Sequence, residues 1–258
     1  MDILDHPDPT REEYLRTLFS REQKFSHYGT TFHYVPSNDS VIDSAAIMGR
    51  IGRSVIMDEN LPPSANLEDS QHETWKASVI VIDPTDHSDG QKASLEANSQ
   101  VGTPNSIMKS LAASLNEQNE TAAYHIEVAP ISEANTFWQF AKENHGKITT
   151  LTFTFVAPNM FGTIDNISKE MKRYRDEEKA QRVKVSMSSD DGIDTSTGNV
   201  KNSVEYTTRG GGKISATAKG GKSYSSKQKT RCVIMDSEDD EPILVRVARN
   251  ITRVLGRE

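Results

Sequence analysis

A chain of 258 residues, 34% apolar and 26% charged, has room for one large domain or two small ones and lies outside the disordered range. Its formal net charge of −7 argues against a protein that coats polyanions with its whole surface. No apolar run approaches the roughly 18–20 residues that span a bilayer, the acidic start "MDILDHPDPTREEY" lacks a secretory pattern, and Cys232 is the single cysteine, so a cytoplasmic protein with no disulfide framework and no direct membrane insertion is expected.

In chain order, "REEYLRTLFSREQKF" predicts a helix capped by Thr10, with Tyr14, Leu15, Leu18 and Phe19 on one stripe. "TTFHYVP" reads as a short strand stopped by Pro36. "SVIDSAAIMGRIGRSVIM" has helical apolar spacing, but Gly49 and Gly52 weaken that reading by about 1 kcal/mol each. "ENLPPSANLEDSQHE" reads as a loop, "WKASVIVIDP" as a buried strand, and "PNSIMKSLAASLNEQN" as an amphipathic helix aligning Ile107, Leu111 and Leu115. "AAYHIEVAPI" predicts a strand, "SEANTFWQFAKENHG" a helix closed by Gly146, and "KITTLTFTFVAP" a strand with Leu151, Phe153 and Phe155 inward.

In "FVAPNMFG", Pro158, Asn159 and Gly162 make a turn, with Met160 and Phe161 packing back. "TIDNISKEMKRYRDEEKAQR" predicts a helix carrying Ile164, Ile167, Met171 and Tyr174. "VKVSMS", "NSVEYTT" and "GKISATA" read as successive strands, and "EPILVRVARNITRVLGR" as a C-terminal amphipathic helix with Pro242 in its first turn. The apolar positions of that last helix, including Ile251, suit the core or a dimer seam. Strands and helices interleave without strict alternation, so the expected class is α+β, a mixed or antiparallel sheet with flanking helices. Two sub-lobes are expected, an N-terminal α/β one over 1–119 and a C-terminal α+β one over 120–258.

Charge is distributed unevenly. From Val200 to Arg231 there are eight cations against Glu205 alone, a net of +7, which leaves −14 for the rest. The stretch "TRGGGKISATAKGGKSYSSKQKTR" (208–231) holds most of them among five glycines. Its alternation suggests a hairpin arm with glycine-rich turns and a mobile tip. Arg209, Lys213, Lys219, Lys222, Lys227, Lys229 and Arg231 are candidates to follow a DNA or RNA phosphate backbone, with Tyr224 available for base stacking. Lysines on a solvated strand edge also discourage sheet-to-sheet pairing, which explains them equally well.

A second candidate lies at the end of "WKASVIVIDP". Asp83, Asp86, His87 and Asp89 gather oxygen and nitrogen donors, and His125 and Glu127 alternate on the next predicted strand. Together they could hold Mg²⁺ for phosphodiester hydrolysis. The same residues also make an ordinary polar turn, and the spacing is not that of an EF-hand. Otherwise no cofactor is expected.

"HYVPSND", "IMGRIGRS", "VIVIDPTDHSDGQKA", "YHIEVAPI" followed by "FWQFA", "ITTLTFTFVAPNMFG" and "GGGKISATAKGGKSYSSK" together resemble a bacterial family encoded sporadically near mobile-element and phage-defence genes. In element order the second half is also similar to RexA-type phage-exclusion proteins. That resemblance implies DNA binding and dimerisation, with a separate effector protein, and carries no catalytic residues onto this chain. The leading expectation is therefore a non-enzymatic, dimeric nucleic-acid-binding sensor or regulator in antiviral defence. The alternatives are a Mg-dependent nuclease and a protein-interaction component of a defence complex.

Overall fold

The computed structural model describes residues 9–37, 45–87, 90–122, 124–156, 170, 173–174, 176–180, 182–235 and 242–255. It is an α+β protein, with two antiparallel sheets among the described residues. The chain divides into two compact units, Met1–Asp86 with Gln91–Val128 and Met235–Glu258, and His87–Gly90 with Ala129–Ile234. Sequence placed the boundary near Asn119 and kept the C-terminal segment with the second half. The structure moves the boundary to Val128 and returns that segment to the first unit, where its apolar side chains are buried.

In the first unit, α1 (Arg11–Leu18) opens on Thr10 as expected. The Glu13 amide donates to Thr10 Oγ1, and the Thr10 amide donates back to Glu13 Oε2 at 2.8 Å. The Thr10 amide, and after it the Thr10 hydroxyl donating to the same Oε2 at 2.9 Å, hold the Glu13 carboxyl below its ordinary value. The helix ends sooner than predicted, because Gln23–His27 alternates buried and exposed positions and forms β1. A two-residue turn at Tyr28 and Gly29, both at positive φ, joins it to β2 (Thr30–Pro36). That backbone matches the twist of a tight hairpin.

The ambiguous segment is a strand, β3 (Ile47–Asn60), paired along its whole length with β4 (Asp69–Asp83). Gly49 serves the strand: a Cβ there would overlap the Tyr34 ring and the Val35 carbonyl. Tyr34 is fully buried and donates its hydroxyl to the Phe19 carbonyl at 2.8 Å, and burial pushes its phenol up. The expected loop before Trp75 is reduced to the hairpin tip, 61–68, with a 3₁₀ turn at Pro63–Ala65. With β5 (Lys92–Leu95) the sheet order is β1-β2-β3-β4-β5.

Both faces of this sheet are packed near its centre. On one, Phe25, Phe32, Tyr34, Ile51, Ile80 and Ile82 meet Ile107, Leu111 and Leu115 of α2 (Pro104–Gln118). On the other, Met48, Val79 and Val81 meet Leu244, Val247 and Leu255. This explains the unbroken apolar run in β4, where strand residues buried on both sides need no alternation. The predicted C-terminal helix is two short ones, α5 (Ile243–Arg249) and α6 (Ile251–Leu255), separated at Asn250, whose side-chain amide donates to the Arg246 carbonyl; Pro242 is its N-cap. Core packing thus accounts for its apolar stripe.

"AAYHIEVAPI" forms no strand among its described residues. Instead the Asn116 side chain takes the place of a neighbouring strand, donating to the Ile126 carbonyl at 2.9 Å and accepting from its amide at 2.8 Å.

The second unit is built on β6 (Ile148–Val156), β7 (Arg182–Ser188), β8 (Gly212–Ala218) and β9 (Ser223–Ser225), in the order β7-β6-β8-β9. One face is covered by α3 (Ala134–Glu143) and α4 (Gly198–Tyr206), bringing Phe137, Ala141, Val200 and Val204 onto Leu151, Phe153, Phe155 and Ile214. α4 replaces the strand predicted at "NSVEYTT". Thr197 caps it, and Val200 and Val204, four apart, share its buried face. The turn expected in "FVAPNMFG" and most of the helix expected over 163–182 lie outside the described residues, although Arg173, Tyr174 and 176–178 are helical. Among the described residues no helix is long and apolar enough to cross a membrane.

His27 couples the first unit's stability to pH. Its ring is buried, with Nδ1 2.8 Å from Ser110 Oγ, and it meets Phe32 in a T-shaped contact at 5.3 Å and Tyr28 in a tilted one at 4.4 Å. Burial, with Arg53 nearby, holds the imidazole below its ordinary value. The folded protein therefore stays neutral there while the unfolded chain takes a proton. This contribution is complete above the unfolded value of about 6.5 and is lost progressively as pH falls from it toward the folded value. Urea midpoints measured from pH 7.5 downward should fall, and His27→Gln should flatten the part of the slope just below pH 6.5.

Candidate nucleic-acid interface

The glycine-rich basic stretch is an interior part of the second sheet, not a projecting arm. β8 pairs with β6 on one side and β9 on the other, with Phe153 opposite Ile214 and Ala216 opposite Tyr224. Gly212, Ile214, Ala216 and Ala218 are buried, while Lys213, Ser215 and Thr217 are exposed. Gly211 and Gly212, at the start of β8, are packing residues. Gly212 sits at φ 148 against β6, where a Cβ would overlap the Thr154 carbonyl, and a Cβ on Gly211 would overlap the Tyr206 ring. Only the turn 219–222 has the open character expected: Gly220 and Gly221 have positive φ and nothing near their Cβ positions.

Tyr224 is not available for stacking. It is buried, its ring packs against Phe137 and Phe140, and its hydroxyl lies 2.9 Å from Thr136 Oγ1. Its alternation on β9 turns it to the core while Ser223 faces out.

Among the described residues the sheet face opposite the helices carries half-buried and exposed side chains with no helix packed on it, and its register arranges it in rows. Thr154 stands between Lys184 and Lys213. In the next row Ser186, Thr152, Ser215 and Ser225 lie side by side, and in the next Ser188, Thr150, Thr217 and Ser223. Thr152 and Ser186 are hydrogen-bonded at 2.9 Å. No Asp or Glu occurs in the four strands. Lys213 carries the electrostatic signature of this face. Its ammonium is held below its ordinary value by burial first, and then by Lys227, Arg182 and Lys184.

The candidate cations divide accordingly. Lys213 and Lys227 join this cluster, and Arg182 and Lys184 are members that sequence reading missed. The alternation of "RVKVSMS" puts Lys184 and Ser186 on one face, but which strand they adjoin depends on a pairing across 26 or more residues. Lys219 and Lys222 are exposed at the opposite end of β8, in the hairpin turn. Six strand residues separate Lys213 from Lys219, roughly 20 Å. Lys229 and Arg231 lie on the exposed segment after the sheet, where the Arg231 amide donates to the Ile131 carbonyl. Arg209 is ion-paired with Glu205 one helical turn earlier, which spends its charge locally.

The residues of the metal reading are engaged otherwise. Asp83 is buried at the end of β4 and accepts from the Thr85 amide at 3.1 Å, an Asx turn. Asp86 accepts from Gln91 at 2.9 Å and lies 4.0 Å from Arg11. His125 and Glu127 are exposed on the extended segment, with His125 3.4 Å from Asn116. His87 has an interaction of its own, and Asp89 lies outside the described residues. Among the described residues no three His, Cys, Asp or Glu side chains come together as a metal-holding group.

Comparison of the chain with protein-family models, with curated proteins and with solved structures finds no match.

Tyr224 separates a core role from a recognition role. Tyr224→Phe should cost about 1 kcal/mol through the hydrogen bond to Thr136 and leave polyanion binding unchanged. Tyr224→Ala should cost about 3–5 kcal/mol in a thermal or urea melt.

Proposed function

We propose that the protein binds the phosphate backbone of DNA or RNA through the open face of its second sheet, without catalysing a reaction, as a sensor or regulator in antiviral defence. The observation that carries this reading is the gathering of Lys213, Lys227, Arg182 and Lys184 beside a hydroxyl-covered sheet surface. Like charges held together raise the free energy of the unliganded protein, and a polyanion relieves that repulsion while Ser and Thr hydroxyls donate to phosphate oxygens.

The face carries no aromatic ring among its described strand residues, since Phe153, Phe155 and Tyr224 all point to the core. Backbone contact without stacking or base edges positions a nucleic acid and does not read its sequence. The negative charge of the remaining chain limits binding elsewhere on the surface. The antiviral setting is supported by the resemblance to phage-exclusion proteins.

Two measurements test the reading. With about four phosphate contacts, a fourfold rise in salt should weaken binding by roughly two decades. Charge reversal by Lys184→Glu, Lys213→Glu and Lys227→Glu together should abolish retention in a gel shift while the melting temperature stays near wild type. Arg209→Ala, which removes a cation already paired with Glu205, should leave affinity within about twofold. Unchanged binding in the triple variant would remove the open face from consideration.

A further inference from the structure

Cations occupy one end of the second sheet's open face, and the larger part of that face is hydroxyl. The two rows that follow Lys184, Thr154 and Lys213 hold four Ser or Thr side chains each, all half-buried or exposed. With strands about 4.8 Å apart each row is about 14 Å long, and the rows lie about 7 Å apart along the strands. Phosphate needs cations and a few donors, and it is common to DNA and RNA. A field of groups that both donate and accept suits a ligand carrying hydroxyls of its own.

The charges around this field set where a backbone can lie. At the Lys213 end the charged groups acting on its ammonium are Lys227, Arg182 and Lys184, while Asp176, Glu177 and Glu178 precede β7 by four or more residues. The opposite end is mixed: Lys147, Lys219 and Lys222 are exposed there, and so are Asp190 and Asp191, which follow β7. One phosphate strand therefore belongs at the Lys213 end, with the hydroxyl rows reaching from it across a groove.

Two features of the face choose among nucleic acids. It has no aromatic ring among its described strand residues, whereas sites for single strands stack bases on such rings. A duplex stacks its own bases and presents only backbone and groove. Ser and Thr hydroxyls also stand only two bonds from their Cα atoms, so they stop far short of base edges in B-DNA grooves about 7.5–8.5 Å deep. The minor groove of A-form RNA is wide and shallow, and its ribose 2′-hydroxyls donate and accept. We infer that the ligand of this face is double-stranded RNA. Lys184, Lys213 and Lys227 hold one phosphate strand, and the hydroxyl rows, Thr152 and Ser215 among them, meet the 2′-hydroxyls of the minor groove. This inference rests on the reading of the same face as a phosphate-binding surface and adds to it the kind of nucleic acid.

Fluorescence anisotropy on the full chain tests it, with a short labelled RNA duplex, the DNA duplex of the same sequence and the single-stranded RNA, all at one salt concentration. The RNA duplex should bind at least about tenfold tighter than either, the scale of two or three hydrogen bonds. Methylating its 2′-oxygens, which keeps the A-form and removes the donors, should bring its affinity to within about threefold of the DNA duplex. Thr152→Val together with Ser215→Ala should remove most of the RNA preference, leave the DNA duplex within about twofold and keep the melting temperature near wild type. Lys213→Glu should weaken both duplexes alike, since phosphate is common to them. Equal affinity for the two duplexes overturns the inference and leaves the phosphate reading standing. So does tighter binding of the single strand, or a preference insensitive to methylation or to the double variant. No binding to any of the three overturns both.

Discussion

The pairing of β8 with β6 is the constraint on which the second unit depends. It turns a glycine-rich, lysine-rich stretch into an interior strand and fixes the side on which each cation emerges. Gly212 is where the pairing is tightest, because its backbone lies against the Thr154 carbonyl at a φ that other residues rarely adopt. From that anchor, alternation sends Ile214, Ala216 and Ala218 to Phe153 and Leu151, and sends Lys213, Ser215 and Thr217 to solvent. A slip of one residue would bury Lys213 and expose Ile214, so core and surface enforce the same register.

The two sheets handle their faces differently. The first is covered on both sides at its centre, and the β3–β4 ribbon that outruns its neighbours is exposed. The second is covered on one side by α3 and α4 and presents a hydroxyl-rich surface on the other. Lysines and an arginine at one end of that surface also guard the β7 edge against unwanted strand addition, since exposed cations disfavour it. A protective role and a phosphate-binding role are compatible there, because both require the ammonium groups to remain at the surface.

Most helices and strands were legible from local pattern. Thr10 with Glu13, the Ile107–Leu111–Leu115 spacing and the alternation around Phe153 each signal their element directly. The failures have specific causes. Gly49 and Gly52 look like weak points in a helix, yet Gly49 is required by a ring lying across the strand, a tertiary fact. Val200 and Val204 sit in a β-branched, threonine-rich run, and only a cap at Thr197 and a core four residues deep make it helical. Asn116 satisfies the Ile126 backbone from a distance in sequence, so a segment with strand-like composition needs no partner strand. For the candidate site, charge counting found Lys213 and Lys227 but assigned Tyr224 to the wrong side. It also had no means of adding Arg182 and Lys184, which arrive through the long-range β6–β7 pairing.

The claim at the centre of this account is that phosphate meets the protein at the open face of the second sheet. Backbone amide NMR during titration with a short oligonucleotide of mixed sequence addresses it most directly. Shifts concentrated at Thr154, Lys184, Ser186, Lys213 and Ser215, and lost at high salt, are the predicted result. Saturable shifts confined to other surfaces, with these amides unmoved, would contradict it.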